Sequence, residues 1–329
     1  PLIAILPLAG FAFTGLVWLF ISRGVYGVFA SQSGLTLAVA SDVSRPEKRA
    51  AAMGAVGAAF GIAFTIGPAL GGWFAHHYGA PAIGYLAAGF QIASLIVVTT
   101  LLRETHPLHN KLPESEAVFV KPSSIVRLCT RPLVIGLMAV TLLATIAYSV
   151  MLPTFQPLAE DWYGWNLAEV GYGLAAFGLV GAFVQGGLIR PTVKRIGERA
   201  TAIVGLVLLA AGLVWIGTHP GTTGFWSAVC LMAIGTGLAS PAITSLMSLS
   251  VGEHDQGAIH GLNYSAISLG RGAGYLVGSF IFVHVSHGSA YYAGAAGAIA
   301  AGLMIVVLSR GMLRSRSQPA SADVSEVQG

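Results

Sequence analysis

The stretch 54–72, GAVGAAFGIAFTIGPALGG, decides the reading of this chain. It holds no charged residue, and with its flanks it is long enough to cross a bilayer as a helix. At about 100° per residue, Gly54, Gly57, Gly61, Thr65, Pro68 and Gly72 fall on one helical face. A stripe of small residues lets a second backbone approach closely. Pro68 removes one intrahelical hydrogen bond and can bend the helix. A purely structural membrane helix would carry the same stripe, so the stripe alone gives architecture and not activity.

The rest of the chain is of the same kind. Of 329 residues, 55% are hydrophobic and 9% are charged, against about 25% charged in soluble domains. The mean hydropathy is +0.75. This excludes a soluble globular enzyme, a disordered chain and a nucleic-acid binder, despite a pI near 9.2. Apolar runs of spanning length cover 16–40, 50–75, 81–102, 131–157, 167–190, 200–217, 224–250, 257–285 and 289–309. They are continuously apolar, without the alternation of a membrane barrel, so helices are expected. The fold class is therefore an all-α, polytopic membrane helix bundle with nine full spans. Residues 1–13 read as the tail of one more, so the chain is expected to be a piece cut inside a span.

Charge gives the orientation. Fifteen of the 17 Lys and Arg lie in the polar segments 41–49, 103–131 and 190–199 and in the tail after 309. The alternate loops 76–81, 159–166, 218–224 and 286–290 hold none. The positive-inside rule then places the basic segments and the C-terminus in the cytoplasm of a cell (inner) membrane protein. Trp162, Tyr163, Trp165, Tyr291 and Tyr292 are expected in an aromatic belt at the outer interface. The other two basic residues, Arg23 and Arg271, lie inside apolar spans. The long polar segment 103–130 divides the chain into part of one bundle (1–102), a cytosolic linker and a second, six-helix bundle (131–310), with a tail at 311–329. A weak repeat supports a duplication: at an offset of 207, GPALGG (67–72) aligns with GYLVGS (274–279) and Gly54 with Gly261.

On these residues the chain resembles the major facilitator superfamily, in its drug:proton antiporter and tetracycline-efflux-like branch. Gly54, Gly67, Pro68, Gly71 and Gly72 match the fifth-span antiporter motif ending GPxxGG, with Ala63 in place of a usual glycine. RGVYGVFAS (23–31) is similar to the fourth-span motif, which implies that Arg23 is the proton-linked arginine. VKRIGER (193–199) is similar to the loop motif of the C-terminal half through Arg195, Gly197, Glu198 and Arg199. There Lys194 stands for the usual aspartate and Arg190 for an expected glycine. The resemblance implies a twelve-span transporter cut inside its third span, which lacks one wall of its cavity and should not transport alone. It also implies that the fourth, seventh and tenth spans line that cavity, with Gln32, Thr145, Tyr148 and Thr244 among the candidates.

Span 257–285 carries its own pattern. Tyr264, Ser268, Arg271 and Tyr275 share a narrow arc, and Gly270, Gly274 and Gly278 form a GxxxGxxxG row beside it. The row predicts packing on a neighbouring helix, and the arc predicts a wet face. Arg271 is either a counter-charge for an anionic or coupled group, or an arginine satisfied by backbone carbonyls between the halves. There is no phosphate loop, no metal-ligating His or Cys cluster and no implied cofactor. The expected function is proton-coupled efflux of drugs or other amphiphilic small molecules by a monomer in the lipid bilayer. A facilitator or importer of sugar, organic acid or peptide on the same fold, and a non-transporting assembly factor or receptor, are the alternatives.

Overall fold

The computed structural model describes residues 49–79, 81–101, 122–252 and 255–316, with 17, 18, 20, 21, 24, 25, 36 and 39. Among the described residues, all regular structure is helical. The helices are α1 (Arg49–Tyr78), α2 (Pro81–Leu101), α3 (Pro122–Cys129), α4 (Pro132–Ser149), α5 (Met151–Tyr163) and α6 (Leu167–Phe183). They continue as α7 (Ile189–Gly217), α8 (Thr222–Leu249), α9 (Gln256–His284) and α10 (His287–Arg316). A π-helical turn, Val184–Leu188, joins α6 to α7. Six stretches among the described residues are long and apolar enough to cross a membrane: Pro81–Thr100, Pro132–Tyr163, Leu167–Gly217, Thr222–Leu249, Gln256–His284 and His287–Leu308. The expected span 50–75 lies within α1. The expected span 16–40 falls mostly outside the described residues.

Proline and glycine set the joints. Helix α4 ends at Ser149 because Pro153 has no N–H to give to that carbonyl. Val150 keeps helical angles of −55° and −37°, so α5 continues the same span. The segment 190–199, expected as a loop, is helical, and α7 runs through it. Its break is confined to Gly197, whose φ of 77° and ψ of 166° are open essentially to glycine alone. The Thr201 hydroxyl donates to the Gly197 carbonyl at 2.7 Å and steadies the break. The end of the 103–130 linker is also helical. There α3 buries Leu128 against Val134, Leu137, Met247, Ala258 and Ile259. Beside it, Arg127 Nη2 reaches the two carboxylate oxygens of Asp255 at 2.9 and 3.2 Å.

The chain divides into two compact units, 1–119 with 156–182, and 120–155 with 183–329. In the second unit α7 and α8 meet backbone to backbone. A Cβ on Gly205 would fall 2.5 Å from Ala239 N, and one on Gly212 would fall 2.9 Å from the Ala228 carbonyl oxygen. The glycine-rich composition is thus spent on helix seams, as membrane packing requires. Outside the seams the surface is apolar: Leu269, Leu276, Val283 and Leu303 are all exposed, which suits lipid and not water. Tyr291 departs from the aromatic-belt expectation. It is fully buried, and its hydroxyl takes the Thr154 hydroxyl at 3.2 Å, whereas Tyr292 is exposed.

Candidate functional site

Helix α9 carries a polar face on an apolar span of the second unit. Tyr264, Ser268, Arg271 and Tyr275 are all exposed along one arc. The opposite requirement, burial, falls on the glycine row. A Cβ on Gly270 would lie 2.9 Å from the Leu142 carbonyl oxygen, one on Gly274 2.8 Å from that of Ile146, and one on Gly278 3.0 Å from that of Val150. The row therefore lays α9 directly on α4, as its spacing predicts. Close packing fixes the rotation of α9 and so aims the polar arc outward.

Helix α4 brings two more of the expected residues to this side. Thr145 is half-buried and its methyl and Cβ crowd Gly270. Tyr148 is half-buried and lies in electrostatic range of Arg271 and Tyr275. Among the described residues no carboxylate pairs with Arg271, the ion pair found there being Arg127–Asp255. An arginine on an apolar span without a carboxylate costs several kcal/mol in lipid, about 2.5–3.5 on insertion scales, unless water or a ligand reaches it. Arg271, Tyr148 and Tyr275 thus form a cationic, hydroxyl-rimmed patch able to hold a negatively charged or strongly polarised group.

Below this patch lies a residue the sequence reading passed over. Asn263 is 3% exposed and links three helices. Its Oδ1 accepts from the Thr141 hydroxyl at 3.2 Å, and its Nδ2 donates to the Thr244 hydroxyl at 3.3 Å. Thr244 in turn donates to the Ser240 carbonyl at 3.0 Å. Thr244, expected to line a cavity, is thereby tied to α9. The available signal was a lone amide inside an apolar span, GLNYSA (261–266).

The motif residues of α1 separate into two groups. Gly61, Pro68 and Gly72 face α6. A Cβ on Gly72 would fall 2.5 Å from the Leu167 carbonyl oxygen and 2.9 Å from Gly171 Cα, and one on Gly61 3.0 Å from Ala182 Cβ. A Cβ on Gly171 would fall 2.5 Å from the Pro68 carbonyl oxygen. Gly67 and Gly71 meet nothing within 4 Å. Gly54 and Gly57 lie on α1, but their surroundings fall outside the description. So do Arg23 and Gln32. Of the loop motif, Arg195 is exposed and Glu198 and Arg199 are half-buried beside Gly197 on α7. No group of His, Cys, Asp or Glu among the described residues could hold a metal.

A sequence model described as Major Facilitator Superfamily matches residues 2–274 and, overlapping, 137–326. The chain is 29% identical over 282 residues to the tetracycline resistance protein, class E, of Escherichia coli, covering 85% of this chain and 69% of that protein. It is 31% identical over 263 residues to the class G protein of Vibrio anguillarum, covering 78% and 65%. Among solved structures, the human organic anion transporter MFSD10 (TETRAN) superposes with a TM-score of 0.67 at 21% identity, covering 92% of this chain and 76% of that one. The peptide transporter POT in complex with sulfate does so with a TM-score of 0.69 at 14% identity, covering 95% and 78%. At these identities the structures establish the fold.

Proposed function

The chain belongs to the Major Facilitator Superfamily, and from that membership we propose that it exports a drug of the tetracycline type in exchange for protons. It is a secondary transporter and a multi-span helical membrane protein, not an enzyme. The substrate class comes from the tetracycline resistance proteins it resembles. The observation that carries the proposal is the α1–α6 seam, where the antiporter motif meets another backbone with no room for a side chain.

In the proposed mechanism, bundles 1–102 and 131–310 rock about a mid-membrane site. The α1–α6 seam is then a contact between them, and it closes one side of the path in one of the two states. A seam of glycines interlocks few side chains, so it can part and re-form at low cost. Arg271, with Tyr148 and Tyr275, receives the polar end of the substrate, and Arg23 is assigned to proton coupling. Substrate shifts the two states only through unequal affinity for them. The protein acts as a monomer in a bacterial inner membrane with its C-terminus in the cytoplasm.

The test is drug accumulation in a pump-deficient host expressing the full open reading frame, with and without an uncoupler. Lowered tetracycline accumulation that the uncoupler restores supports the proposal. Unchanged accumulation across tetracyclines and a broad dye panel refutes it.

A further inference from the structure

A cavity of about 340 Å³ opens between the start of α7 and α8. Two cations, Arg190 and Lys194, stand on its α7 wall, four residues apart and so on one helical face. Both are exposed, and neither forms an ion pair with any described residue. No carboxylate lines the cavity. Ile189 and Val193 on α7, with Pro241 and Ala242 on α8, make the rest apolar, and Ser245 adds one hydroxyl. The α8 wall is built of small residues, which is why the space is not filled.

The two cations are the positions where the loop motif departs from its usual pattern. With the usual glycine and aspartate, this wall would carry one negative charge. With Arg190 and Lys194 it carries two positive ones. The cavity sits at the end of the apolar run 167–190, in a basic segment that the positive-inside rule assigns to the cytoplasmic face. Paired cations over an apolar floor, at the edge of the hydrocarbon layer, match a phosphodiester headgroup and the first carbons of its chains.

We propose that this cavity binds an anionic phospholipid, with Arg190 and Lys194 on its phosphate. The site is separate from the polar arc of α9, so it stands or falls independently of the export reading.

Native mass spectrometry of the purified chain tests it, with phosphatidylglycerol, phosphatidylcholine and soluble glycerol phosphate as separate additions. Each basic residue near the surface contributes about fivefold to anionic-lipid binding. The Arg190→Gln/Lys194→Gln variant should lose phosphatidylglycerol by about thirtyfold. The charge-keeping Arg190→Lys/Lys194→Arg variant should retain it, which controls for misfolding. Equal retention by wild type and the neutral variant would overturn the proposal. So would phosphatidylcholine binding as tightly as phosphatidylglycerol, or glycerol phosphate binding as tightly as the lipid.

Discussion

Gly72 and Gly171 face each other with no space for a methyl group on either: a Cβ on Gly72 would lie 2.9 Å from Gly171 Cα, and one on Gly171 3.1 Å from Gly72 Cα. Two helices that meet on bare backbone respond to substitution with a definite sign. Alanine is a better helix former than glycine by about 1 kcal/mol. Overpacking costs about 1–3 kcal/mol. At Gly72 and Gly171 the overlap falls on backbone atoms, which cannot swing aside, so overpacking wins. Gly72→Ala and Gly171→Ala should lower the melting temperature and the transport rate. At Gly67 and Gly71, which meet nothing, alanine should be neutral or mildly stabilising. Melting curves of the four variants in one detergent check this ordering.

Asn263 ties α4, α8 and α9 through Thr141 and Thr244. Interhelical hydrogen bonds in membranes average about 0.6 kcal/mol. Asn263→Leu also leaves the Thr141 hydroxyl without that acceptor, so a loss of about 1–2 kcal/mol is expected. A double-mutant cycle with Thr141→Val should return a coupling near 0.6 kcal/mol. Strict additivity would mean that the pair does not interact.

Gly197 is the position in α7 where backbone and not packing decides. Nothing lies within 4 Å of a Cβ there, yet φ is 77°. Gly197→Ala should therefore destabilise by about 1–3 kcal/mol. Gly186→Ala, also in open space but with no positive φ, should be tolerated. Limited proteolysis between residues 190 and 201 reports the difference.

At α3, adjacent residues should differ sharply. The Arg127 side chain is 59% exposed, so its bridge to Asp255 is screened. Arg127→Gln should cost well under 1 kcal/mol. Leu128 has no exposure at all, and Leu128→Ala should cost about 2–5 kcal/mol. Thermal melts at low and high salt separate them, because only the Arg127 contribution fades with salt.

How much of this was legible beforehand depends on whether a feature is periodic. The row Gly270, Gly274 and Gly278 and the arc through Arg271 follow from helical repeat alone, and both fall where the repeat puts them. The antiporter stripe was legible as a face but not residue by residue. Gly67 and Gly71 belong to the motif and meet nothing, whereas Gly171, which no pattern singled out, packs directly on the backbone of Pro68 and Gly72. Asn263 was missed because its partners lie on other helices and a single amide has no period. The segment 190–199 looked like a loop because its charges break the apolar run. Charge does not end a helix, however, and only the backbone of Gly197 interrupts it. That Arg190 and Lys194 share a cavity with Pro241 is a tertiary fact, and nothing in their sequence separation announces it.

The central claim, exchange of drug for protons by way of the Arg271 patch, is tested most directly in everted membrane vesicles carrying a fluorescent pH probe. After energisation, adding tetracycline should release protons from vesicles of cells expressing the full open reading frame. Arg271→Ala should abolish that release at unchanged membrane yield, and Arg271→Lys should reduce it. Drug-dependent proton release of wild-type size in Arg271→Ala, or drug accumulation with no proton movement in the wild type, would contradict the account.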